Sequence, residues 1–230
     1  MTTRFETFPP GTRWQSASLY GLARRLIQGL VLALAVFLAG SALAASKPVQ
    51  IVCLGDSLTA GYLLPPDAAF PVVLETALKA QGLSVAVSNA GVSGDTSSGG
   101  LERLDWAVPE GTDIVIVELG ANDMLRGLDP KIPAQALDTI ITRLKARNIR
   151  VLLAGMVSAS NYGADYQARF DAIYPALSAR YHLPLYPFFL KGVSGVPGMT
   201  LPDGLHPTRA GVERMVQGIL PVVRDMIAAK

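Results

Sequence analysis

The stretch Val49-Gln50-Ile51-Val52-Cys53-Leu54-Gly55-Asp56-Ser57-Leu58-Thr59-Ala60-Gly61-Tyr62 decides how this chain is read. A short, apolar, β-branched run stops at Gly55, which is the pattern of a buried strand. Gly55 lets the backbone leave that strand sharply. Ser57 then stands on a strand-to-loop turn, with its hydroxyl free to face a cleft. Asp56 and Ser57 could equally do no more than cap the next helix, as these residue types often do. The rest of the chain separates the two readings.

Strand-like and helix-like stretches alternate from there on. Periodicity predicts a helix over 67–81, with Ala68, Val72, Leu74 and Leu78 on its buried face and Gly82 as its stop. A strand over 83–88 and a short helix over 97–106 come after it. Residues 113–119, Asp-Ile-Val-Ile-Val-Glu-Leu, form the strongest strand signal. Next come a helix over 133–147 opened by Pro133, a strand over 149–154, and a helix over 165–181 with a kink or break at Pro175. A short strand over 183–188 and a closing helix over 207–229, interrupted at Gly218 and Pro221, complete the chain. Apolar strands alternating with helices imply a parallel sheet covered on both faces. The expected fold is α/β: a three-layer α/β/α sandwich around a parallel sheet of about five strands, flavodoxin-like in topology. In such folds ligands bind beyond the carboxyl ends of the strands, where the strand order reverses.

The chain has 230 residues and a net charge of +2. Arg24 and Arg25 precede a stretch, 26–46, without a charged residue, and Ala42-Leu43-Ala44 offers small residues at its exit. That is the plan of a secretory signal cleaved after Ala44. The same stretch is about as long as a spanning helix requires, so an uncleaved membrane anchor is the alternative. The reading is therefore 1–44 as leader and 45–230 as one domain. The protein would be exported to the periplasm, or held at the inner membrane if the leader stays. The basic character belongs largely to the leader (Arg4, Arg13, Arg24 and Arg25 against Glu6), so the domain is not suited to tracking nucleic acid. The single cysteine, Cys53, excludes an internal disulfide and sits where a strand would bury it as a small apolar filler.

Four loops fall after strands or before the last helix: Gly55-Asp56-Ser57, then 89–96 (Asn-Ala-Gly-Val-Ser-Gly-Asp-Thr), then Gly120-Ala121-Asn122-Asp123, and Asp203-Gly204-Leu205-His206-Pro207. Acyl transfer needs a nucleophile, a base, an acceptor that orients the base, and donors for the oxyanion. Of the two histidines, His182 lies at a helix end, a place for packing or capping. His206 lies three residues after Asp203, close enough for the carboxylate to fold back onto its ring and leave the far nitrogen for Ser57. The alternative for Asp203 and His206 is a helix-capping pair before Pro207. A backbone N–H near Gly94 and the side chain of Asn122 are candidate donors, against a plain turn and a local Asx-turn. Asp95 and Asp123 are poorer partners for the base, since neither shares a short turn with a histidine.

The ordered set Gly-Asp-Ser-Leu, Ser-Gly-Asp-Thr, Gly-x-Asn-Asp and Asp-x-x-His resembles the GDSL, or SGNH, family of esterases and lipases. The likeness is strongest to a bacterial periplasmic branch of acyl-thioesterase/lysophospholipase enzymes and arylesterases. It extends to Gly61-Tyr62, Val117-Glu118-Leu119-Gly120, Leu125-Arg126-Gly127, Asn161-Tyr162-Gly163 and Ile173-Tyr174-Pro175. Ala121 departs from members that carry a second Gly there, and the Gly- and Pro-rich loop 192–200 has no counterpart that we place. The resemblance implies a catalytic Ser57, His206 and Asp203, and an oxyanion hole of Ser57, Gly94 and Asn122. It leaves Asp56 as a structural hydrogen-bonder under the turn. It implies no cofactor and no metal, and the chain shows no cluster of ligands at metal spacing. Leu63, Leu64, Leu125 and Tyr162 lie in loops near this edge and could line an acyl pocket. The implied partner is a small acyl ester or thioester, a lysophospholipid among them. The protein is expected to be a monomer that touches the membrane only through its leader. Three rival readings stand beside this one: a carbohydrate O-deacetylase or peptidase of the same fold, a membrane-anchored interaction protein that has kept a hydrolase fold, and a flavodoxin-like binding module with 91–96 as a phosphate cradle.

Overall fold

The computed structural model of the protein describes residues 24–30 and 47–229. Residues 24–30 are helical. Most of the stretch read as signal or anchor, including the cleavage point after Ala44, lies outside the described residues. No helix among the described residues is long and apolar enough to cross a membrane. The chain divides into one unit ending at Ser46 and another beginning at Lys47, and the second carries the sheet.

Five strands form that sheet: β1 (Val49–Gly55), β2 (Val85–Gly91), β3 (Ile114–Glu118), β4 (Arg150–Ala154) and β5 (Leu185–Tyr186). They lie in the order β2-β1-β3-β4-β5 and every pair is parallel, as the apolar runs require. The helices are α1 (Ser57–Ala60), α2 (Phe70–Ala80), α3 (Ser97–Glu102), α4 (Leu104–Ala107), α5 (Ala121–Leu125), α6 (Lys131–Ala146), α7 (Ala164–Asp171), α8 (Ile173–Tyr181) and α9 (Arg209–Ala228). Helices α2 and α9 pack together, as do α3, α6 and α8, forming the two helical layers. All five residues of β3 are buried, including Glu118. The chain runs outward from β1 to β2, then crosses back over β1 to β3, so the order reverses there. The crevice this creates lies beyond the carboxyl ends of β1 and β3. Ser57 and Asn122 come within a few residues of the ends of those two strands.

The strand-to-turn junction is tight. A Cβ on Gly55 would stand 2.1 Å from Thr59 Oγ1 and 2.6 Å from Glu118 Oε2, so only glycine admits both side chains beneath the turn.

Several elements differ from their expected form, each for a local reason. The helix over 67–81 is a 3-10 turn (Pro66–Ala68) followed by α2. Its buried line is Phe70, Leu74 and Leu78, while Val72 faces solvent. The helix over 97–106 breaks at Arg103 into α3 and α4. The break expected at Pro175 falls at Ala172. Pro175 is thereby left in the first turn of α8, where its missing N–H has no intrahelical partner to lose. β5 is only two residues long, confined between Pro184 and Pro187. The closing helix runs uninterrupted through Gly218 and Pro221. Gly218 serves packing, since a Cβ there would lie 2.1 Å from Tyr186 Oη. Buried Ile219 and Val223 hold the helix in the core on either side of Pro221.

Candidate active site

Ser57 opens α1, and Asp56 is the cap of that helix: its Oδ1 accepts from the Leu58 N–H at 2.9 Å. The helix cap and the candidate serine are therefore adjacent residues, and the cap fixes where Ser57 stands. Ser57 Oγ lies 2.9 Å from His206 Nε2, across 149 positions of chain. His206 Nδ1 lies 2.7 Å from Asp203 Oδ2. The other oxygen of Asp203 accepts from the N–H groups of Leu205 at 2.9 Å and His206 at 3.0 Å. The short Asp-to-His turn is thus locked by the same carboxylate that holds the ring. The bond to His206, with those two amides, holds the Asp203 carboxyl down to about 2. An ionised carboxylate only accepts, so Nδ1 carries hydrogen and Nε2 is left to accept from Ser57. The loop is tied at its base by an isolated bridge between Thr200 and Pro207 and by Leu201 N–H donating to the His206 carbonyl at 2.7 Å. Tyr62 lies against the imidazole, ring centroids 4.4 Å apart.

Asn122, in α5, donates its side-chain amide to Asp56 Oδ2 at 2.9 Å. An amide carries two hydrogens, so one remains for another acceptor. Gly94 accepts at its carbonyl from Arg126 Nη2 at 2.6 Å and is not among the residues lining the cavity beside Ser57. Asp95 pairs with Arg103 Nε at 2.6 Å, and Arg103 Nη2 donates to the Gly55 carbonyl at 3.0 Å, pinning the end of β1. Asp123 is fully buried and accepts from both N–H and O–H of Ser97 at 2.7 Å, anchoring α3. These two acids are committed to structure. His182 ends α8 in the left-handed conformation, beside the start of β4 at the opposite edge of the sheet. Burial pushes the Cys53 thiol upward, so the nucleophilic thiolate is disfavoured.

A cavity of about 390 Å³ opens beside Ser57 and His206. Its apolar wall comes from Met124, Leu125, Met156, Val157, Phe188, Leu190 and Leu205. Leu125 lines it, as the sequence suggests; Leu63 and Tyr162 do not. Leu63 is largely exposed, and Tyr162 stacks on Tyr166 and donates to the Leu125 carbonyl at 3.2 Å. Leu64, the fourth loop residue, packs partly buried against the core. The wall from the segments after β4 and β5 is not legible in the sequence, because isolated apolar residues in loops carry no periodic signal. Ser194, from the loop without a counterpart, also reaches the cavity.

Glu118 is the other residue whose importance the sequence leaves implicit. It is 1% exposed and lies beneath the serine turn, accepting at Oε2 from Thr59 Oγ1 (2.8 Å) and the Asp56 N–H (3.3 Å). Its only signal is that of one acid inside an otherwise apolar strand. Burial, opposed by the bonds from Leu58 and Asn122, pushes the Asp56 carboxyl up to about 6.

This fold and this serine-centred crevice define a class of α/β hydrolytic enzyme, and comparison with known proteins agrees. The sequence profile of the GDSL-like Lipase/Acylhydrolase family matches residues 53–214, and the chain belongs to that family. It is an enzyme of the GDSL, or SGNH, hydrolases that acts on ester bonds. It is similar to Esterase TesA of Pseudomonas aeruginosa, 37% identical over 185 residues that cover 80% of this chain and 91% of that protein. It is also similar to Thioesterase 1/protease 1/lysophospholipase L1 of Escherichia coli K12, 41% identical over 160 residues, 69% of this chain and 76% of that one. The crystal structure of TesA superposes with a TM-score of 0.73 at 36% identity, covering 77% of this chain and 99% of that one.

Proposed function

We propose that the protein hydrolyses carboxylic esters and thioesters of apolar acyl chains through an acyl-enzyme on Ser57. The observation that carries this reading is the hydrogen-bonded run Ser57–His206–Asp203, at 2.9 and 2.7 Å, at the mouth of an apolar cavity. His206 takes the Ser57 proton as Oγ attacks the carbonyl carbon. The oxyanion is received by the Ser57 N–H, the Gly94 N–H and the free hydrogen of the Asn122 amide. His206 then gives its proton to the departing alcohol or thiol, and water, activated by the same ring, releases the acid. Among the exposed apolar residues, Leu125, Val157 and Leu205 also line the cavity, which suits an amphiphile such as a lysophospholipid entering chain first. An acetyl group alone would leave most of that apolar wall uncovered, so the O-deacetylase reading is the weaker one. The basic leader with its uncharged stretch over 26–46 supports an exported enzyme, working as a monomer in the periplasm once the leader is removed.

The test is hydrolysis of p-nitrophenyl esters from acetyl to palmitoyl, beside palmitoyl-CoA, with Ser57→Ala as control. Activity abolished in the variant supports the acyl-enzyme; activity indifferent to Ser57 sinks it. N-terminal sequencing of the exported protein decides whether the chain is cleaved after Ala44.

A further inference from the structure

Among the described residues, Glu118 Oε1 is the one buried carboxyl oxygen without a hydrogen-bond partner. The neighbouring acid is Asp56, next in the chain after Gly55, the residue paired with Glu118 in the sheet register. Asp56 is itself 1% exposed, and its carboxyl is already served by two donors, Leu58 N–H on Oδ1 and the Asn122 amide on Oδ2. Leaving a buried carboxylate oxygen without a donor is costly, whereas an oxygen that carries its own hydrogen has no such need. Two adjacent carboxyls in a dry site do not both ionise. Asp56 holds the donors, so it is the ionised member and Glu118 the neutral one.

We propose that Glu118 is a neutral carboxylic acid whose O–H donates to the Asp56 carboxylate, completing a relay Glu118–Asp56–Asn122 that aims the amide of Asn122 beside Ser57. Glu118 touches no substrate in this scheme; it is a positioning residue. The role given to Asn122 rests on the acyl-transfer function proposed for the site, while the protonation of Glu118 does not. Burial first, and Asp56 second, hold the Glu118 carboxyl well above the usual carboxylate range. The bond between the two acids in turn favours the ionised Asp56.

The other groups around the pair leave this assignment intact. Cys53, on β1, is a buried thiol. Tyr174, on α8, spends its O–H on the Leu119 carbonyl at 2.9 Å. Asp123, on α5, is taken up by Ser97. Arg103 directs Nε to Asp95 and Nη2 to the Gly55 carbonyl, and none of its nitrogens is bonded to Glu118. His206 acts on Asp56 as a neighbouring charge when protonated.

Infrared spectroscopy at neutral pH tests the protonation directly. The protein should show the carbonyl band of a carboxylic acid, shifted in deuterium oxide, and Glu118→Gln should lack it. A spectrum of the parent without that band overturns the proposal. Kinetics test the relay. Glu118→Gln keeps an N–H for Asp56 and an acceptor for Thr59, so its kcat should stay within about threefold of the parent. Glu118→Leu has neither and should lose roughly tenfold or more in kcat with KM little changed, the sign of a group acting in the transition state. As alkali ionises Glu118, the parent should lose activity that Glu118→Gln retains. Equal losses in both variants at matched thermal stability would overturn the relay. If Glu118→Leu does not fold, the infrared band and the alkaline limb of Glu118→Gln still decide. An acid band in a parent protein that hydrolyses no ester would uphold the protonation while sinking the acyl-transfer reading.

Discussion

Asn122 reaches across 66 positions of chain to donate its amide to Asp56 at 2.9 Å, joining the loop after β3 to the loop after β1. One hydrogen of the amide is the anchor, so the other is left for a second acceptor, which the proposed mechanism makes the oxyanion. Asn122→Ala should lower turnover roughly 100-fold or more, the usual scale for one such donor. Steady-state kinetics on a p-nitrophenyl ester measure it, and near-parent turnover would take Asn122 out of the mechanism.

Asp203 holds the His206 ring and two backbone amides at once. Asp203→Asn keeps the size but can offer the ring a donor, which favours the wrong tautomer. Turnover should fall by about 10⁴-fold, as when an orienting carboxylate is lost elsewhere. The melting temperature should drop only slightly, because the turn is exposed on one side. A variant that keeps a tenth of parent turnover would mean that something else orients His206.

The two shifted aspartates bias stability in opposite directions with pH. Asp56 is pushed up to about 6 when folded, against an ordinary value of about 3.9. The folded protein therefore binds the extra proton, and the stability this contributes is full below about pH 4 and lost as pH rises through 6. Asp203 is held down to about 2, so its contribution is present above about pH 4 and lost as pH falls through 2. Melting temperatures of the protein and of Asp56→Asn, compared from pH 4 to 8, should diverge between 4 and 6, with the variant flatter in that window. Parallel curves would contradict the burial assigned to Asp56.

Gly218 lets α9 lie against Tyr186 Oη, where an added Cβ would stand 2.1 Å away. Gly218→Ala should destabilise by about 1–3 kcal/mol, the range for overpacking. In a domain of this size that lowers the melting temperature by roughly 2–10 °C. Adding Tyr186→Phe, which removes the clashing oxygen, should recover most of the loss, and thermal scans of both variants would show the coupling.

Ser194 enters the cavity from the loop after β5. Ser194→Phe should fill part of the acyl space and lower the ratio of long-chain to acetyl ester turnover by roughly tenfold or more, while the acetyl rate stays near the parent's. An unchanged chain-length profile would place the acyl chain elsewhere.

Much of the molecule is legible locally. The strands are readable because buried parallel strands are continuous apolar runs, and β1 and β3 lie where those runs predict. The Asp203–His206 pair is readable because three positions of chain suffice to bring the two together. The helix breaks expected at Pro175, Gly218 and Pro221 do not occur there, since a proline or glycine breaks a helix only when packing does not hold it.

From its sequence alone, then, this protein's fold class was determined, and Ser57 and His206 stood out as the candidate nucleophile and base, because each is written in a window of a few residues. The tertiary structure alone decided that His206 meets Ser57 across 149 positions, and that a cavity is lined by residues from five separate stretches of chain. It alone decided that Glu118, one acid in an apolar strand, lies beneath the serine turn with Asp56 above it. Those relationships arise from which faces pack together once the sheet has formed, and no short stretch of chain carries that information.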